Sequence, residues 1–200
     1  MKKSILVALL LIAAGAAGFL VQKNLSTPDA APAPEAQSAP TEAQSARFAL
    51  SLPDLDGKQR QISDWDGESR LVNFWATWCA PCRREIPVLK QLQSEKSEKY
   101  IQVIGVAVDF PEEVIAFAEE AEFNYPVIIG QEEAMAAAES TGVAYPGLPF
   151  SILLSADGDT VKTHIGEIHA EQIERIVEVM RDLDNGSINL HAARSALQSL

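Results

Sequence analysis

From residue 47 onward, apolar residues recur in two alternating rhythms. RFALSLPDLDGKQRQISDW reads as two short strands around an Asp56-Gly57 turn, and the apolar run LVNFWA that follows reads as a buried strand. A helix is expected over about 79–94, kinked at Pro87, because proline lacks an N–H and its ring crowds the preceding turn. YIQVIGVAVDF is a second buried strand, and PEEVIAFAEEAEF sets Val114, Phe117, Ala118 and Ala121 on one helical face. YPVIIG gives a short strand, and QEEAMAAAESTG a helix stopped by Gly142. PFSILLSADGDTVKTHIG reads as a hairpin across Asp157-Gly158, and residues 168–183 carry Ile173, Ile176, Val177 and Met180 at helical spacing. This order predicts an α/β fold, a mixed central sheet flanked by helices, over residues 47–185. Residues 186–200 show no assignable role and are expected to be a C-terminal tail.

The chain before residue 47 is organised differently. Lys2 and Lys3 precede an uncharged, mostly apolar run over residues 4–21, roughly 27 Å long as a helix against a bilayer core of about 30 Å. The run outlasts a signal-peptide core of about 7–15 residues, so residues 1–23 are expected to be a retained signal anchor and single transmembrane helix. The alternative is cleavage near Ala14-Gly15-Ala16 and secretion. In both cases the basic start stays cytoplasmic and the rest is exported. The expected location is the bacterial cytoplasmic membrane, with the domain facing the periplasm. Residues 24–46, with seven alanines and four prolines, read as a semi-rigid linker reaching at most about 70 Å at roughly 3.1 Å per residue. A formal charge of −12 argues against nucleic acid as a partner.

The only two cysteines, Cys79 and Cys82, stand in FWATWCAPCRREIP at a strand-to-helix junction. A structural bond across so small a loop restricts the unfolded chain little. A zinc site needs four ligands, and His164, His169 and His191 lie far along the chain. A redox centre is the reading that count and placement favour. At a helix start, unpaired N–H groups and the helix dipole favour a thiolate, so Cys79 is expected to be an exposed nucleophile, with Cys82 one turn further in to resolve the mixed disulfide. Ala80 and Pro81 add no charge or donor, which argues against a strongly oxidising pair.

These residues resemble the thioredoxin superfamily motif W-C-x-x-C, with Trp78 before the first cysteine and Pro87 eight residues after it. LVNFWATWCAPCRREIP, preceded by DLDGKQRQISDWDG, is similar to the TlpA/ResA-like branch of membrane-anchored thiol-disulfide oxidoreductases over about residues 47–183. The resemblance implies a thioredoxin fold with an N-terminal β-hairpin and an inserted helix and strand over about 111–129. It implies reduction of disulfides in exported proteins, electrons from a membrane thiol-disulfide donor, service to cytochrome c maturation or to general reduction, and no cofactor beyond the Cys79–Cys82 pair. Trp78 and Pro81 are implied to border the substrate. Pro149 in GLPFSILL is implied to be a cis proline facing the cysteines, with Leu148 pairing its backbone to the substrate; Pro146 is the rival position.

Two residues depart from the superfamily pattern. Asn73 stands where thioredoxins carry a buried aspartate, and an amide cannot take up a proton. The resemblance moves that role to Asp109, although DFPE also reads as a helix start with Asp109 capping and Glu112 answering it. Phe150 replaces a small polar residue, and its ring is expected to narrow or grease the substrate groove. Trp75 is expected in the core and Trp78 at the rim, with Arg83 and Glu85 on the surface and His164 and His169 in loops. Two rival functions differ in spacing: thioredoxin-fold copper chaperones space their cysteines by three residues, and related peroxidases place threonine where Ala76 stands.

Overall fold

The computed structural model describes residues 47–140, 142 and 147–200. The expected anchor over 1–23, the linker over 24–46 and Pro146 lie outside them. The two long apolar runs form the middle of the sheet: β3 (Ser69–Trp75) and β4 (Ile101–Val108) lie parallel, and every residue of β3 is buried. A strand covered on both faces has no polar side to alternate with, hence the continuous apolar pattern. β5 (Val127–Gly130) extends the sheet parallel to β4, while β6 (Phe150–Leu154) and β7 (Thr160–Ile165) continue it antiparallel beyond β3. The strand order is β5-β4-β3-β6-β7. β1 (Ser51–Pro53) and β2 (Gln59–Gln61) pair separately as an antiparallel hairpin. The whole is a thioredoxin-like α/β fold with a central mixed sheet.

α1 (Ala80–Ser94) turns Cys82, Glu85, Ile86, Leu89 and Leu92 inward at steps of three and four, and continues through Pro87, whose ring is exposed. A single turn, α2 (Lys96–Lys99), leads into β4. α3 (Pro111–Ala121) and β5 follow β4, before α4 (Glu132–Glu139). α5 (Ala170–Asp184) buries Ile173, Ile176, Val177, Val179 and Met180. One face of the sheet packs Leu71 and Trp75 against α1, α3 and α5; the other packs Val72, Phe74 and Phe150 against Phe48, Leu50, Leu52 and α4.

Residues 186–200 are more than a tail. Asn189 caps α6 (Leu190–Ala196) by accepting from Ala192 N at 2.9 Å, Ala193 and Leu197 are fully buried in the core, and Arg194 donates to the Thr160 carbonyl at 2.7 Å. Ile188, Leu190, Ala196 and Leu200 pack partly buried against the same core and help seat so short a helix. Arg70, at the start of β3, is also buried. It donates to the carbonyls of Ile62 and Ser155 at 3.2 and 2.8 Å and pairs with Asp66, joining the turn after β2 to the β6–β7 hairpin.

Candidate active site

After β3 the chain passes through Ala76-Thr77-Trp78 into α1. Cys79 is the N-cap, with extended backbone (φ −85°, ψ 102°), and its Sγ accepts a hydrogen bond from Cys82 N at 3.3 Å. Pro81 lies in the first turn, where its missing N–H is no loss. Cys79 and Cys82 form a disulfide. The cysteine expected to be exposed is largely covered: residue Cys79 is 5% accessible, and Cys82 is fully buried. Of the two, Cys79 is therefore the one a partner sulfur can approach. Trp78 stands exposed beside it, whereas Trp75 is buried against Phe117 and Phe123.

β6 brings the next part of the site alongside. Its register pairs Phe150 with Phe74, which sets Pro149 beside the end of β3, next to the cysteine turn. The Leu148–Pro149 peptide is cis. The Pro149 carbonyl accepts from Gly166 N at 2.9 Å, and Leu148, half-buried, precedes the ladder. Phe150 does not line a groove. Side chains alternate along a strand, and Phe150 points to the opposite face, stacked on Phe74 with ring centroids 4.3 Å apart.

Glu85 is where the sequence-based expectation fails most informatively. It is fully buried rather than a surface charge. Its place three residues after Cys82 puts it on the same inward face of α1, a signal present in the sequence. Glu85 Oε1 accepts from Asn73 Nδ2 at 2.7 Å, and Oε2 accepts from Ile168 N at 2.8 Å. Asn73 Nδ2 also donates to Ser151 Oγ at 3.1 Å. Asn73 is flanked in register by Ser151, itself opposite His164, and by Gly105, so a polar row crosses the sheet beneath α1. Gly105 leaves little room for a side chain there: a Cβ would come within 3.1 Å of the Trp75 indole nitrogen and 3.2 Å of the Tyr125 ring, so those rings would have to give way by a few tenths of an ångström. Burial pushes the Glu85 carboxyl up to about 7, against the two hydrogen bonds that favour its charge. Asn73 Oδ1 has no partner among the described residues. With its amide turned over, Asn73 can receive the O–H of a protonated Glu85.

The Asp109 capping expectation is also corrected. Phe110 is the N-cap of α3 and makes no side-chain cap. The Asp109 carboxylate instead accepts from Thr77 N at 3.0 Å and Thr77 Oγ1 at 2.6 Å, with its other oxygen on Phe110 N at 2.9 Å. It thereby ties the end of β4 to the turn that carries Trp78 and Cys79. Arg83 lies over the Phe117 ring at 5.1 Å. His164 is buried in β7, where burial holds its imidazole below the usual range, and His169 is the exposed N-cap of α5. Among the described residues no three His, Cys, Asp or Glu side chains cluster as metal ligands would.

The Redoxin family profile matches residues 28–179, which include Cys79, Cys82, Glu85, Asp109 and Pro149. The chain belongs to the Redoxin family. Within it, a thiol-disulfide oxidoreductase ResA from Bacillus cereus is 33% identical over 124 residues, 62% of this chain and 69% of the relative. The ResA of Bacillus thuringiensis subsp. konkukian is 30% identical over 173 residues, covering 86% and 92%. Among solved structures, a thiol:disulfide interchange protein of the thioredoxin family from Chlorobium tepidum TLS aligns at TM-score 0.59 and 28% identity, over 67% of this chain and 94% of that one. This Redoxin chain is a ResA-like thiol-disulfide oxidoreductase of the thioredoxin superfamily.

Proposed function

We propose that the protein is a membrane-tethered reductase of disulfides in exported polypeptides, apocytochrome c among them. The observation that carries this reading is the joining of a reachable helix-start sulfur, Cys79, to a buried one, Cys82, one turn before a buried carboxyl. In the reduced protein the Cys79 thiolate attacks one sulfur of the partner's disulfide. That S–S bond breaks, and the partner's other sulfur leaves as a thiolate. Cys82, its proton passed to Glu85, then attacks Cys79 Sγ. The partner's second thiolate is released, the Cys79–Cys82 disulfide re-forms, and two electrons have passed to the partner.

Trp78 and Pro81 border the approach, Leu148 and Pro149 align the partner's backbone, and Asp109 holds the turn. Asp109 already accepts three hydrogen bonds, which supports giving the proton to Glu85 and a positioning role to Asp109. Electrons return from a membrane thiol-disulfide donor. Residues 1–23 hold the protein in the bacterial cytoplasmic membrane and 24–46 space the domain from it. No helix among the described residues is long and apolar enough to cross a membrane, so the tether is assigned to the leader from its sequence alone.

The test is a single-turnover assay: reduced protein, freed of reductant, is mixed with insulin or oxidised glutathione. One disulfide is expected to be reduced per protein molecule, with the rate falling at least about 10³-fold in Cys79→Ser. If reduced protein leaves every partner disulfide intact while oxidised protein oxidises a dithiol peptide, the direction of transfer is reversed.

A further inference from the structure

Glu85 is sealed from solvent, so a proton that it takes from Cys82 at each turnover needs a way out. Five buried side-chain polar atoms have no partner among the described residues: Arg70 Nε, Asn73 Oδ1, Trp75 Nε1, Tyr125 Oη and His164 Nε2. Four of them belong to the face of the sheet that packs against α1. Asn73, Ser151 and His164 stand side by side there on β3, β6 and β7, the first two fully buried and His164 7% exposed. Residues directly opposite on paired strands have Cβ atoms about 4.5–5.5 Å apart. Asn73 Nδ2 closes the first gap by donating to Ser151 Oγ at 3.1 Å, while His164 Nε2 across the second gap receives nothing. A hydroxyl and an imidazole nitrogen face each other there, polar partners of the kind that hold a buried water. A second link runs beside this one. The peptide unit between Glu167 and Ile168 gives its N–H to Glu85 Oε2 at 2.8 Å, and its carbonyl lies by the His164 ring. Because Nε2 has no partner, that carbonyl serves the other ring nitrogen, which leaves Nε2 as an acceptor.

We infer that His164 is the exit for the proton that Glu85 takes from Cys82, reached through the Ser151 hydroxyl and one buried water. The inference rests on the reductase reading with Glu85 as proton acceptor, and adds where that proton goes. Glu85 Oε1 and Ser151 Oγ both accept from Asn73 Nδ2, so turning that amide over lets a protonated Glu85 meet the hydroxyl. Cys82 bonds to Cys79 and breaks the Cys79–partner bond, the electron pair leaves on the partner's thiolate, and the Cys82 proton goes to Glu85. Glu85 then gives a proton to Ser151 Oγ as the hydroxyl's own proton moves to the water and one from the water moves to His164 Nε2. The imidazolium loses the proton on its other nitrogen to solvent at the edge strand. No electron moves in this relay, and one proton leaves per disulfide formed. The surroundings keep the ring a transient carrier. Burial holds its value below the usual range, with Lys162 on the same strand and His169 at the start of α5 adding to that, while the Glu167 and Leu200 carbonyls favour its charge. The Glu167 carboxylate is engaged by Arg84 of α1 at 2.6 Å, and Arg194 of α6 by the Thr160 carbonyl.

The test follows two signals in one stopped-flow mixture at pH 8, above the value of about 7 that Glu85 holds. Reduced protein meets dithiobis(nitrobenzoate), whose coloured thiolate products stay ionised, while a pH indicator reports the proton reaching bulk water. In the wild type the proton is expected to appear together with the second thiolate. In His164→Gln and in Ser151→Ala it is expected to lag that thiolate by at least about tenfold, the low end of losses on removing a proton-transfer group being about 10²-fold. Ser151→Thr, which keeps the hydroxyl, is expected to restore the pace. Because both signals come from the same mixture, a change in protein concentration or in exchange rate cancels in their ratio. A proton that keeps pace in either His164→Gln or Ser151→Ala overturns the inference. An equal lag in Ser151→Thr assigns the effect to packing and overturns it as well. A wild type that releases no thiolate overturns the reductase reading itself and this inference with it.

Discussion

Reduced Cys82→Ser protein mixed with a disulfide-bearing polypeptide is expected to stop at a mixed disulfide through Cys79, with stoichiometric capture visible on a non-reducing gel. Cys79, the more accessible of the two cysteines and the helix N-cap, can still attack. The resolving sulfur is gone, and a serine hydroxyl cannot displace a thiolate at Cys79. Release should slow by at least about 10³-fold, and added dithiothreitol should free the partner at once. The reciprocal Cys79→Ser variant should capture almost nothing, because Cys82 is fully buried. Equal capture by both variants would mean that the pair opens far more than the fold allows.

Glu85→Gln carries the second large effect, in opposite directions for stability and rate. The ordinary glutamate value is 4.5, and burial raises that of Glu85 to about 7. The folded chain therefore holds a proton that the unfolded chain has already lost, and stability falls as pH rises between those values, then levels off above the higher one. The span corresponds to about 3 kcal/mol at most. Glu85→Gln abolishes this slope, so urea midpoints should show it more stable than wild type at pH 8 and little changed at pH 4.5. The substituted amide can still accept from Ile168 N through its oxygen, while its NH₂ donates to a turned-over Asn73 side chain. Resolution by Cys82 should slow by about 10²-fold, the loss expected on removing a general base. A purely structural Glu85 would shift the urea curve and leave the pH profile of release unmoved.

The sheet and the cysteine turn were legible because both are local. Continuous apolar runs mark β3 and β4, and two cysteines beside a tryptophan mark the start of α1. What escaped depends on partners distant in sequence. Glu85 reads as a surface charge until Asn73 and Ile168, the latter 83 residues away, supply donors that make its burial tolerable. Asp109 has the local pattern of a cap, but Thr77, 32 residues earlier, offers a hydroxyl and an N–H that outcompete the helix start. Phe150 was placed by its neighbour Pro149, whereas the parity of β6 sends its ring to the other face. The helix at Leu190–Ala196 is too short to show a period, and only its seat against the core reveals it.

The most direct test of the account is the pH dependence of iodoacetamide alkylation in the fully reduced wild-type protein, followed residue by residue. The account predicts that Cys79 reacts first, with a midpoint well below the free-thiol value of about 8.5, while Cys82 resists. A Cys79 midpoint at the ordinary thiol value, or faster labelling of Cys82, would contradict it.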